Sequence, residues 1–140
     1  MKPSFVIDAS VIISWFAPEE NDDYAGKVLS CLDGENAATS KLCCLEVLNV
    51  FRQFEKKNRV SSTDIERALT YIETLPIAID RFDWRFNMPH ILVLAREHGL
   101  SIYDACYLEI SVRTNLPLAT LDRKLAEAAQ NMGVGLKVFL

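Results

Sequence analysis

Ser4-Phe5-Val6-Ile7-Asp8-Ala9-Ser10 sets one aromatic and two β-branched residues directly before a carboxylate, then follows the carboxylate with two small residues. Such a run reads as a short strand over residues 4–8, buried on both faces. The pattern returns at Leu118-Ala119-Thr120-Leu121-Asp122, where apolar sequence again closes on an acid. Ligands of open parallel sheets bind beyond the carboxyl ends of the strands. If these two strands are neighbours, Asp8 and Asp122 converge on one rim.

The segments between fit that frame. Helices are expected over residues 9–16 and 21–32, the second stopped by Asp33-Gly34, and a short strand over 37–39. A helix over 41–57 ends in Asn58-Arg59. Ser62 or Thr63 caps the next, which runs to Leu75 and stops at Pro76. Residues 77–79 form a strand and 88–98 a helix ended by Gly99. A helix over 104–113, a strand over 116–121, a helix over 123–131 and a last strand over 136–139 complete the chain. Strands alternating with helices indicate an α/β domain with a parallel sheet covered on both faces. The 140 residues are expected to form a single domain around one core.

Half the residues are apolar and 24% are charged, the balance of a globular protein rather than a disordered one. No stretch approaches the ~20 apolar residues of a membrane helix. Only Met1–Ser4 precede the first strand, so no signal peptide is expected. Cys31, Cys43, Cys44 and Cys106 form no Cys-x-x-Cys pair and the chain has two histidines, which argues against structural zinc. Buried, reduced thiols in a cytoplasmic protein are the expected state. The net charge is −4. With four acids assigned to a cation site the remainder is neutral, so the charge does not exclude RNA as a substrate.

Those four acids are Asp8, Glu46, Asp104 and Asp122. Glu46 interrupts the apolar run from Leu42 to Leu48, and Asp104 stands in Tyr103-Asp104-Ala105-Cys106. Carboxylates beside so much apolar surface are costly unless paired, and no Lys or Arg adjoins the first three. A hard divalent cation such as Mg²⁺ supplies the missing charge. On a helical wheel Glu46, Asn49 and Gln53 fall within about 60°, a narrow polar stripe between apolar residues that suggests the wall of a cleft. Each acid also has a local alternative. Asp8 and Asp122 suit helix caps, and Ser101-Ile102-Tyr103-Asp104 resembles a capping box with Asp in place of Glu.

Taken in order, Asp8-Ala-Ser, Glu46 with Asn49 on a helix, Ile102-Tyr103-Asp104-Ala105 and Thr120-x-Asp122 resemble the PIN-domain ribonucleases, most of all the VapC-type toxins of toxin–antitoxin pairs. The resemblance spans nearly the whole chain. It implies a three-layer α/β/α fold with a five-stranded parallel sheet in order 3-2-1-4-5. It also implies Mg²⁺ or Mn²⁺ held by the four acids, endonucleolytic cleavage of RNA of the tRNA or rRNA class, a homodimer and a cognate antitoxin. Asp8, Glu46 and Asp104 are the expected direct ligands, with Asp122 binding directly or through water; one ion or two remains open at this stage.

Two rival readings stand beside it. Asp8 as a phosphoacceptor nucleophile at a strand end lacks the second aspartate two residues on, where Ser10 stands. A module that binds RNA or a partner without cleaving it is the non-enzymatic alternative. Among other features, Glu19-Glu20-Asn21-Asp22-Asp23 reads as a solvated helix start. Trp15, Phe16, Trp84 and Phe86 could stack on bases or bury a dimer face, with core packing the default for aromatics. Arg52, Lys56, Lys57 and Arg59 could track an RNA backbone or simply form a charged helix end.

Overall fold

β1 (Phe5–Ile7) is wholly buried at the middle of a parallel sheet. The structure is a computed structural model, which describes residues 2–17 and 22–138. β2 (Ala37–Thr39) pairs with β1 through Phe5–Ala37 and Val6–Ala38, and β3 (Ile77–Ile79) extends the sheet beyond β2. On the other side β4 (Leu118–Ala119) pairs through Val6–Leu118 and Ile7–Ala119. The order is β3-β2-β1-β4.

The five-stranded sheet expected from the sequence is therefore corrected to four strands among the described residues. The chain after β4 does return beside it, but Leu136 makes a single parallel bridge to Leu118. Gly133 (φ 78°) and Gly135 (φ 74°) hold the left-handed backbone region, so extended pairing cannot begin before residue 136. β4 offers little in return. Pro117 has no N–H for a ladder, and the Thr120 hydroxyl takes the N–H of Asp122 at 3.0 Å, turning the chain away. Phe139, where the expected strand ended, lies outside the described residues.

Seven helices connect the strands among the described residues: α1 (Ala9–Phe16), α2 (Asp23–Cys31), α3 (Cys43–Lys56), α4 (Ser62–Glu73), α5 (Trp84–His98), α6 (Ile102–Thr114) and α7 (Arg123–Asn131). α6 is buried from Ala105 to Ser111 and packs on β1, β4, α5 and α7. Its successive apolar residues Ala105-Cys106-Tyr107-Leu108 suit an interior, and the buried Glu109 is paired with Arg113 at 2.8 Å. α1 packs with α2 and α3, and its Phe16 meets the rings of Phe51 on α3 and Tyr71 on α4 edge-on at 5.8 and 6.1 Å.

Several boundaries differ from expectation for local reasons. α4 is capped by Ser61 rather than Ser62 or Thr63, because Asp64 stands three residues on and closes a capping box. α5 begins four residues before the expected Met88. The Asp83 carboxylate accepts from Arg85 N–H, and Asn87 accepts the Asp83 N–H at 2.7 Å, so a first turn forms ahead of Pro89. The second helix was expected from Asn21, which lies outside the described residues, as do Glu19 and Glu20 of the acidic cluster. Asp22 caps α2 through the N–H of Ala25.

α3 corrects another expectation. Its buried line is Cys43, Val47, Phe51 and Phe54, whereas Leu45 is 63% exposed and Leu48, Asn49 and Gln53 are also exposed. The polar stripe thus belongs to an open surface rather than to an otherwise buried helix. Cys44 is exposed too, unlike buried Cys43 and Cys106. Trp84, 64% exposed, and Phe86 are surface aromatics, not core; Trp15 is partly buried and donates its indole N–H to the carbonyl of Ala25.

Candidate active site

All four acids stand at helix amino termini. Asp8 follows β1 directly and caps α1, Glu46 lies in the first turn of α3, Asp104 in the first turn of α6, and Asp122 caps α7. The positive end of each helix dipole favours a carboxylate there. The sheet brings two of them together: β1 and β4 are neighbours, and the Asp8 N–H donates to the carbonyl of Ala119.

Asp8 is 3% exposed. Ser10 donates to its Oδ1 at 2.6 Å and the Val11 N–H at 3.3 Å, while the Thr120 hydroxyl donates to Oδ2. Burial pushes its carboxyl up to about 6, against the pull of these hydrogen bonds, and the charge of Asp104 adds to the rise. Ser10 also accepts the N–H of Leu121, and Thr120 that of Asp122. One hydroxyl pair thereby ties the Asp8 carboxylate to the turn that carries Asp122.

Glu46 is half-buried, and the Tyr107 hydroxyl donates to its Oε1 at 2.6 Å. Burial raises its carboxyl above the ordinary range, Tyr107 opposes, and Asp104 contributes repulsion. Asp104 is raised by burial and then by the charge of Asp122. Asp104 is thus the hub, in electrostatic contact with each of the other three acids. The ion pairs among the described residues involve none of the four.

Oxygen donors at a rim, none of them ion-paired among the described residues, are the donor type that Mg²⁺ takes. Among the described residues no three His, Cys, Asp or Glu side chains stand close enough to cage an ion directly. Mg²⁺ keeps several waters and binds through one or two carboxylates, so acids that couple pairwise through Asp104 fit it in donor chemistry and charge.

Sequence reasoning missed Thr120 as more than a motif spacer, and missed Tyr107 altogether. The signal for Tyr107 was there: a phenol one turn past Asp104, set among Ala105, Cys106 and Leu108, needs a hydrogen-bond partner when buried. Of the basic residues, Arg52 pairs with Glu55 at 2.9 Å and Arg59 stacks 4.2 Å above the Phe54 ring, roles local to α3.

A parallel α/β sheet with an acidic cluster at its carboxyl rim defines the class. The chain belongs to the PIN domain family, whose pattern matches residues 5–131. It is 27% identical over 122 residues to Ribonuclease VapC3 of Pyrobaculum aerophilum, covering 87% of this chain and 92% of that protein. Among solved structures it is similar to PAE2754 from Pyrobaculum aerophilum, at 23% identity and a TM-score of 0.71, covering 91% of this chain and 87% of that one. A toxin-antitoxin complex from Klebsiella pneumoniae contains a chain with the same fold, at 17% identity and a TM-score of 0.65, covering 96% and 97%. Among the described residues no helix is long and apolar enough to cross a membrane.

Proposed function

We propose that this protein is a metal-dependent endoribonuclease and the toxin of a toxin–antitoxin pair. The observation that carries the reading is a buried Asp8 coupled through Asp104 to Glu46 and Asp122, none of the four being in an ion pair among the described residues. Similarity to a protein named a ribonuclease and to a chain of a toxin–antitoxin complex supports it.

Asp8, Glu46 and Asp104, with Asp122, would hold the cation, one or two of them directly and the others through its waters. When bound, Mg²⁺ or Mn²⁺ supplies neutralisation of phosphate charge and a water of lowered pKa. Ser10 and Thr120 keep the Asp8 carboxylate in one orientation. Until a cation is present the four acids repel a phosphodiester, so substrate engages the loaded protein. Attack of water on phosphorus with cleavage of the P–O3′ bond would leave a 5′-phosphate and a 3′-hydroxyl, the 2′-hydroxyl taking no part.

RNA of the tRNA or rRNA class is the proposed substrate. A homodimer is proposed over the apolar groove of about 750 Å³ that Phe82, Met88, Leu92 and Ile102 line. The antitoxin is proposed to lay a helix or extended segment near α1 and to reach a basic side chain into the acidic cleft.

The test is incubation of purified protein with structured RNA in Mn²⁺ and in EDTA, for wild type and Asp8→Asn. Cleavage by wild type in Mn²⁺ alone is expected. RNA binding without cleavage in any condition would instead favour the non-catalytic module.

A further inference from the structure

Glu46 differs from the other three acids in how it is held. Asp8 is fixed by two hydroxyls and a backbone N–H, and Asp122 by the N–H of Leu125 at 2.9 Å. Asp104 begins its helix beside Ser101. Glu46 has the longer side chain, with more torsions to restrain, and it shares its helix face with exposed Asn49. Among the described residues its hydrogen-bond partner is the hydroxyl of Tyr107.

Tyr107 is itself 1% exposed and the largest fully buried side chain among those described. Its ring packs in the core, so the hydroxyl cannot swing away. It emerges one helical turn after Asp104 on α6, and its acceptor lies in the first turn of α3. The bond therefore joins two acid-bearing helices at the rim of the sheet. A short donor–acceptor distance to a carboxylate marks a strong hydrogen bond.

We infer that Tyr107 is a positioning residue for the cation site: its hydroxyl donates to Glu46 Oε1 and so fixes the orientation in which this carboxylate would meet a cation. The inference rests on the proposed reading of Glu46 as a ligand. Groups that orient a ligand from behind change metal affinity by about 10- to 100-fold when removed, and Tyr107→Phe removes the hydroxyl while keeping the ring.

The experiment is Mn²⁺ binding to the full chain, followed by calorimetry and by the electron paramagnetic signal of free Mn²⁺, for wild type, Tyr107→Phe, Glu46→Gln and the double variant. Circular dichroism and melting in EDTA establish that each variant is folded. Tyr107→Phe is expected to weaken Mn²⁺ binding by about 10-fold or more. RNA cleavage should recover towards the wild-type maximum as Mn²⁺ is raised, which a general loss of structure would not allow. In the Glu46→Gln background the tyrosine change should add little. Equal Mn²⁺ affinity in wild type and Tyr107→Phe would overturn the role of Tyr107 alone. A full additional loss in the double variant would show that Tyr107 does not act through Glu46. Absence of Mn²⁺ binding by the wild type would overturn the cation-site reading itself, and the inference with it.

Discussion

Ser61 opens α4 and Ser101 opens α6, each three residues ahead of an aspartate, and each serine oxygen accepts that aspartate's backbone N–H at 3.1 Å. At α4 the box closes: Asp64 returns a bond to the Ser61 N–H at 3.2 Å, and this bond holds its carboxyl below the usual range. At α6 burial, followed by the charge of Asp122, holds Asp104 above the usual range against the pull of its hydrogen bond with the Ser101 side chain. The two signatures are alike in sequence and opposite in electrostatics. Solvent surrounds the first, whereas the second stands at the rim where β1 and β4 end. A capping carboxylate thus becomes available for other chemistry when the fold surrounds it with like charge.

The largest expected contrast is catalytic. Asp104→Asn should lower RNA cleavage by on the order of 1,000-fold or more at saturating Mn²⁺, while Asp64→Asn stays within about twofold, since it lies outside the cluster. Asp122→Asn should be milder than Asp104→Asn if it acts through water. Comparable losses at Asp64 and Asp104, measured on one RNA, would erase the distinction.

Stability against pH should separate the regions by sign. Asp8 has a folded value near 6 against 3.8 unfolded, so the folded state binds the proton more tightly. Its contribution is fully present below pH 4 and is lost as pH rises through about 6, for a cost on the order of 3 kcal/mol at neutral pH without metal. Asp64 has a lowered value, so its contribution is present above its unfolded value and is lost on acidification. Denaturant unfolding in EDTA across pH 3.5–7.5, for wild type and Asp8→Asn, checks this. A wild-type profile no steeper than that of the variant would contradict it.

Cation linkage gives the next effect. A cation at 100 times its dissociation constant stabilises the folded state by about 2.7 kcal/mol. The rise in melting temperature with Mg²⁺ should be full in wild type and Asp64→Asn and reduced in Asp104→Asn. Equal rises in all three would leave Asp104 without a role as ligand. Smallest is the substitution itself in EDTA. Asp104→Asn should stabilise by at most about 1 kcal/mol after solvent screening, whereas Asp64→Asn should destabilise. A marked loss at Asp104 would mean that the capping role dominates there.

How much of this was legible follows from which interactions are local. Asp8 at the end of an apolar run, the breakers Pro76 and Gly99, and the alternation of strands with helices all arise from propensity and periodicity within a few residues. The expected start of α5 at Met88 misses its first turn, because that turn depends on Asp83 and Asn87 gripping each other. The α3 stripe was misread because apolar residues on a helix face do not announce whether anything covers them. Leu45 and Leu48 are left uncovered among the described residues.

By itself the sequence determined that carboxylates end two core strands and begin helices, because burial patterns and caps are written in neighbouring residues. Only the tertiary structure decided the rest. Parallel pairing of β1 with β4 placed Asp8 beside the Thr120 turn, 112 residues on, and the approach of α6 to α3 gave Glu46 its tyrosine, 61 residues on. It also limited the sheet to four strands, because a two-residue β4 and the turned backbone at Gly133 and Gly135 leave room for one bridge rather than a ladder. Hydrogen bonds and charge repulsion act through space over a few ångströms, and spacing along the chain does not reveal which distant groups will come that close.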